Sequence, residues 1–229
     1  MNFAVIITYL PKLLQGGLLT VNLVILSSVL GLALAFPIGI ARSSSILWVK
    51  VLPWIYIFLL RGTPLMVQLF LVYYGLSQFP AIRNSDLWPI LRDPYWCALF
   101  TMALNTSAYI AEILRGAIQA VPIGEVEAAI SVGMSRALIL RRIVLPRAVR
   151  IALPAYSNEV ILMLKCSALA STITLLELTG MARTIIAKTY LPVEIFLATG
   201  CGYLIISFCL VRGFRFAEKR LNRHMRMAT

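Results

Sequence analysis

Histidine is almost missing from this chain: there is one, His224, near the C-terminus. A His-based catalytic or metal site has almost no material. Cysteine is scarce too. Cys97, Cys166, Cys201 and Cys209 show no CxxC or other metal spacing. Each lies in or beside an apolar run, where a free thiol packs as a small hydrophobe. Charge is low: 13% of the 229 residues, with 9 acids against 21 Lys and Arg. Soluble domains average about 25% charged. There is no GxxxxGK[ST] loop to cradle nucleotide phosphates, no HExxH, and no Ser–His–Asp or Cys–His arrangement. Enzyme chemistry and a nucleotide site therefore have no carriers, and no catalytic or metal residue is assigned. The N-terminus lacks the basic stretch and small-residue cleavage site of a secretory signal, so no cleavage is expected. No Gly/Ser or Pro-rich linker and no internal repeat divides the chain, so residues 1–229 read as one domain.

What is present is apolar surface. Hydrophobic residues make up 60% of the chain, against roughly 45–50% in soluble domains. This is the composition of an integral membrane protein. The net charge of +12 would suggest nucleic acid in a soluble protein. Here the bases cluster at the ends of apolar runs, so membrane topology explains them and no nucleic-acid partner is expected. Residues 1–15 read as a short interfacial helix. Apolar segments follow at Gly16–Ala41, which is of spanning length, at Leu52–Phe79, from Tyr95 to about Ala111, at Ile151–Leu164 and at Val193–Val211. The expected fold is all-α, with about five transmembrane helices. Thr20, Asn22, Ser27 and Ser28 in the first span either bond between helices or line a path.

Basic clusters fall at Arg42 and Lys50, from Arg115 to Arg150, and in the tail from Arg212 through Arg223 and Arg226. With about five spans they share one face, which must be cytoplasmic. The loop Pro80–Pro94 on the other face has balanced charges. The N-terminus is then periplasmic, the C-terminus cytoplasmic.

The stretch Glu125–Pro146 is a polar, basic island. Val126, Ala129 and Ile130 fall on one face of a short helix. Gly133 suits a C′ position with left-handed backbone, and Ser135 an N-cap of a second short helix. Leu140, Ile143 and Val144 give that helix an apolar face, which Pro146 ends. One reading is an amphipathic loop on the membrane surface. The spacing of Glu127-Ala128-Ala129, Gly133 and Ile143-x-Leu145-Pro146 also resembles the "EAA loop" of ABC-importer permease subunits. The resemblance implies the MetI-like permease fold in a bacterial inner membrane, with a coupling loop at about 123–146. Glu127, Ala128, Ala129, Gly133, Ile143, Leu145 and Pro146 would then engage an ATPase subunit. It also implies a second permease subunit, an ABC ATPase dimer carrying ATP-Mg, a periplasmic substrate-binding protein and contact with membrane lipid. This chain would itself bind no cofactor.

Two further runs resemble the polar amino-acid branch of these permeases: Arg61–Phe70 (RGTPLMVQLF) and Asn105–Ile118 (NTSAYIAEILRGAI). A charge followed by Gly and Pro inside a span frees backbone groups that need protein partners or a wet cavity. Arg61 therefore faces the protein interior or an interface, as a substrate contact or as the anchor of a kinked helix. Glu112 and Arg115 read as a structural i, i+3 pair. Ser167–Arg183, rich in Ser, Thr and small residues, reads as a short helix with irregular backbone.

Glu159 is the leading site residue, because an ionisable group inside a membrane is a functional candidate by default. Ala152, Tyr156, Glu159 and Met163 share a helical face. Leu153–Leu164 resembles basic amino-acid and opine permeases, in which acids on this helix meet the cationic end of the substrate. Glu159, Tyr156, Asn158 and Arg61 are thus candidate substrate contacts. The alternative pairs Glu159 with Lys165 or Arg61. Lys165 meets a substrate carboxylate, repels a cation or snorkels. The expected function is ATP-driven import of polar, chiefly basic, amino acids or opines. The alternatives are another small polar solute, and an ATP-independent channel, for which no filter-like ring is visible.

Overall fold

A computed structural model describes residues 4–44 and 46–221; His224, Arg223 and Arg226 lie outside them. The described residues are helical almost throughout. α1 (Ala4–Arg42) precedes α2 (Leu47–Gly62) and α3 (Leu65–Phe70). After α3 come a π turn at Leu71–Gly75 and a 3-10 turn at Leu76–Gln78. Two single turns, α4 (Pro80–Arg83) and α5 (Trp88–Leu91), occupy the expected polar loop and lead to α6 (Pro94–Gln119). The elbow holds α7 (Ile123–Ser131), α8 (Arg136–Ile139) and a π turn at Leu140–Val144, which runs into α9 (Leu145–Cys166). A 3-10 stretch at Ser167–Ile173, α10 (Leu178–Thr189) and α11 (Pro192–Leu221) complete the chain.

α1, α6 and α11 are each long and apolar enough to cross a membrane. Two bent pairs bring the total to five: α2 with the segment from Leu65 to Gln78, at 101°, and Arg136–Ile173 with α10, at 50°.

α1 corrects the boundary expected near Gly16, because residues 4–15 do not form a separate helix. One helix runs from Ala4 through Pro11 to Arg42. Leu13, Gly16, Thr20, Leu23, Ser27, Gly31, Ala35 and Gly39 recur every three or four residues and are buried. This seam of small residues lets α1 lie close to its neighbours. A Cβ on Gly31 would sit 2.9 Å from Thr106, and one on Gly39 3.0 Å from the Ala111 carbonyl. Two of the polar residues of α1, Thr20 and Asn22, bond to other helices, while Ser27 donates to the Val24 carbonyl of its own helix. Thr20 accepts from the Leu178 amide at 3.0 Å, and Asn22 accepts from the Tyr95 hydroxyl at 2.5 Å. α6 is the central post, capped by Asp93, which accepts from the Tyr95 amide at 2.8 Å, with Pro94 in its first turn.

Candidate functional site: a broken helix beside a buried acid, and a cytoplasmic elbow

Thr63 and Pro64 are extended (ψ 142° and 136°) between α2 and α3, as a residue before proline prefers. The break frees carbonyls, and each recorded partner is a side chain. Thr63 donates to the Leu59 carbonyl at 2.8 Å. The Gln68 amide donates to the Leu60 carbonyl at 2.8 Å and to Thr63 Oγ1 at 2.8 Å. The Asn105 amide on α6 donates to Gln68 Oε1 at 3.0 Å and to the Leu60 carbonyl at 3.3 Å. Gln68 and Asn105 are 7% and 5% exposed. The expected protein partners of this break are thus identified. The signal was available as two amides inside apolar runs, though sequence alone did not pair them.

The break also sets Arg61. Its guanidinium lies 5.0 Å from the centre of the Tyr109 ring on α6, and electrostatically it reaches both Glu112 and Glu159. Glu112 is engaged by Arg115, at 2.8 Å from Nε and 2.5 Å from Nη2, the structural pair expected. Arg42, Arg61, Tyr109 and Glu112 line one polar concavity of about 370 Å³ together with Trp54 and Phe58.

Glu159 comes from α9 and is 8% exposed. Its helical neighbours place it. Tyr156 packs against the cluster that includes Ile57 of α2 and Ala108 of α6, while Met163 belongs to the one that includes Leu65 and Leu69 of α3 and Met102 of α6. The acid therefore lies beside the break between α2 and α3. Among the described residues no hydrogen-bond donor reaches its carboxylate and no ion pair forms with Arg61 or Lys165. Tyr156 meets Phe214 edge-on, with ring centres 5.6 Å apart. Asn158 is on the exposed side of α9 and is not brought to Glu159; Lys165 is exposed as well.

A second buried acid went unnoticed in the sequence. Glu177 is fully buried and caps α10, accepting from the amides of Gly180 (2.8 Å) and Thr179 (2.9 Å). It also accepts from the hydroxyls of Tyr203 (2.9 Å) and Thr20 (3.3 Å). A Cβ on Gly16 would meet the Glu177–Leu178 backbone at 3.0 Å. The preceding Thr174 has φ +70°, so this is the irregular stretch expected at Ser167–Arg183.

In the elbow, Gly133 has φ +78°. Its amide donates to the Ile130 carbonyl at 2.9 Å, and the Met134 amide to that of Ala129 at 3.1 Å. This pair of bonds is the Schellman closure, with glycine at C′ as expected. Ser135 caps α8, accepting from the Leu138 amide at 3.4 Å. Two expectations are corrected. Pro146 does not end the helix: the Leu145 amide bonds to the Leu140 carbonyl, and this wider π turn absorbs the donor that proline lacks. From Arg136 the second half of the elbow and α9 are one continuous rod, against which α7 packs through Ala129 and the Glu125–Arg147 pair. Ile130 does not join Val126 and Ala129 on the inner face; it is 59% exposed. Ala129 packs inward with Val144 and Ala148, while Glu127, Ala128, Ile123, Ile130 and Val132 face outward. Ile143 and Leu145 are half-buried, Pro146 is exposed, and Glu125 pairs with Arg147 at 3.3 Å.

An outward apolar face on a short helix, packed and ion-paired against the start of the helix that carries a buried acid, suits a membrane component driven from outside. The family model for binding-protein-dependent transport system inner membrane components matches residues 27–223. The chain belongs to that family. It is a permease subunit of an ABC importer and not an enzyme, and ATP is bound by a separate ATPase subunit. The octopine transport system permease protein of Rhizobium radiobacter is 49% identical over 220 residues, covering 95% of this chain and 90% of that protein. The histidine/lysine/arginine/ornithine transport system permease protein of Escherichia coli K12 is 44% identical over 212 residues, covering 92% and 89%. A solved amino acid ABC transporter with histidines superposes with a TM-score of 0.86 at 34% identity, covering 96% of this chain and 99% of that one.

Proposed function

We propose that this permease passes a basic amino acid or an opine across the bacterial inner membrane. The observation that carries the reading is Glu159: a buried carboxylate with no described donor, placed beside the broken helix that presents Arg61. A carboxylate so placed suits the ammonium or guanidinium of a substrate, since charge-assisted bonds are the strong ones. Arg61 would meet the substrate carboxylate and Tyr156 would pack against its stem. Asn158 contributes only if a partner subunit turns its exposed side into the path. The systems named for the relatives carry solutes of this chemistry, which supports the class and leaves the individual solute open.

In this reading two permeases, identical or sister chains, enclose one path. A periplasmic binding protein delivers the substrate, and an ATPase dimer receives the outward face of each elbow through Glu127, Ala128 and their neighbours. The N-terminus is periplasmic and the C-terminus cytoplasmic, because the Lys/Arg clusters then lie inside. The exposed apolar faces of α1 and α11 meet lipid or the partner. Closure of the ATPase pulls the elbow. Glu159 lies 13 residues beyond Pro146 along the same rod, or roughly 20 Å, so movement of the elbow swings the acid between outward and inward access. Differential affinity in the two states drives release.

Uptake in proteoliposomes tests this. Permease, ATPase and binding protein are supplied with labelled arginine, lysine, histidine and octopine, with and without internal ATP. ATP-dependent accumulation of a cationic solute is expected. Accumulation of neutral solutes alone would remove Glu159 from the site. Flux down a gradient without ATP would favour the channel reading.

A further inference from the structure

The bracket at the helix break does more than satisfy carbonyls. α6 grips α2 at three successive points. The Tyr56 hydroxyl bonds to the Leu104 carbonyl at 3.0 Å and to Ser107 at 2.6 Å. The Leu60 carbonyl is held by Asn105 directly and through Gln68. The Arg61 guanidinium lies over Tyr109. Asn105 and Tyr109 are four residues apart, hence one turn apart on the same ridge of α6. The residue that ties down Leu60 and the ring that carries Arg61 are thus parts of one surface. α9 meets α6 differently, through apolar packing in which Ala117 clusters with Ala148 and Met102 with Met163. Such a contact allows one helix to slide on the other, whereas buried amide pairs are directional and costly to leave unmade.

We propose that Gln68 and Asn105 are positioning residues for substrate: their paired amides fix the Leu60 carbonyl to α6 and so hold Arg61 in the wall that Glu159 faces. The inference rests on the reading of Glu159 and Arg61 as substrate contacts. Neither amide need touch the substrate. Losing the pair frees the end of α2, and Arg61 then samples positions from which it no longer acts together with Glu159.

The test is calorimetric binding of L-arginine and of octopine to the purified permease–ATPase complex, expressed per assembled complex. Gln68→Leu is expected to weaken binding about tenfold, the size of one lost buried hydrogen bond. In a Glu159→Gln background the same change is expected to add little, because the two act on one contact pair. The exchanged pair, Gln68→Asn with Asn105→Gln, keeps both amides and their summed length and is expected to recover most of the affinity. If Gln68→Leu lowers the yield of complex while whatever assembles binds normally, the bracket is structural only and the proposal is overturned. If Glu159→Gln weakens binding and Gln68→Leu does not, the proposal fails alone. If Glu159→Gln changes nothing, or neither ligand binds the parent complex, the substrate reading fails and the proposal falls with it.

Discussion

Glu159 and Glu177 are both buried acids in an apolar chain, yet their surroundings are opposite. Glu177 accepts from two amides and two hydroxyls contributed by α10, α1 and α11. Glu159 has no described donor and no described ion pair. A carboxylate surrounded by donors has its desolvation offset within the protein. One without donors stays ionised only if something else supplies the positive charge. Burial marks both residues; the partners separate a joint that holds three helices from a place kept for a ligand.

The largest effect is expected at the joint. Glu177→Leu strands two amides and takes a partner from two hydroxyls, at a cost above about 3 kcal/mol, and the yield of assembled complex in membranes should collapse. Recovery of normal yield would mean that the four bonds are dispensable. Next comes a variant far from both acids. Gly133→Asp places a charge beside the outward face of the elbow, at a left-handed position where no atom lies within 4 Å of the added Cβ. The complex should stay in the membrane and bind substrate while ATP-coupled uptake stops; normal uptake would remove the elbow from coupling. Glu159→Gln should lower transport of cationic substrates about ten- to a hundredfold, the range of one charge-assisted bond, and leave assembly near normal. The smallest effect is expected from Tyr203→Phe, which takes one of four donors from Glu177. Its thermal cost should be about 1 kcal/mol, with substrate preference unchanged. A change of preference there would blur the distinction between the two acids.

The elbow was legible because its signals are local. Gly133 and Ser135 mark the ends of α7 and α8 through chemistry that acts over a few residues. Arg61-Gly62-Thr63-Pro64 announced a break for the same reason. What escaped depends on distance along the chain. Thr20 and Glu177 meet across 157 residues, and Gln68 meets Asn105 across 37. Packing of α1 against α10 makes the first pair, and packing of α3 against α6 the second. Proline was misread in one place and read correctly in another. Pro64 follows an extended Thr63 and turns the chain by 101°, while Pro146 follows a π turn and lets the helix continue. The sequence shows the ring and the missing donor but not the backbone before it. The outward turn of Ile130 has a similar origin. Periodicity groups it with Val126, and the tertiary cluster selects Ala129 in its place.

The central claim is that Glu159 receives the cationic end of the substrate. The direct measurement is binding of labelled L-arginine to the detergent-purified complex of the parent and of the Glu159→Gln variant, each normalised to assembled complex. The account predicts saturable binding to the parent and at least tenfold weaker binding to the variant. Equal binding by the two complexes would contradict it and leave Glu159 as a packing residue.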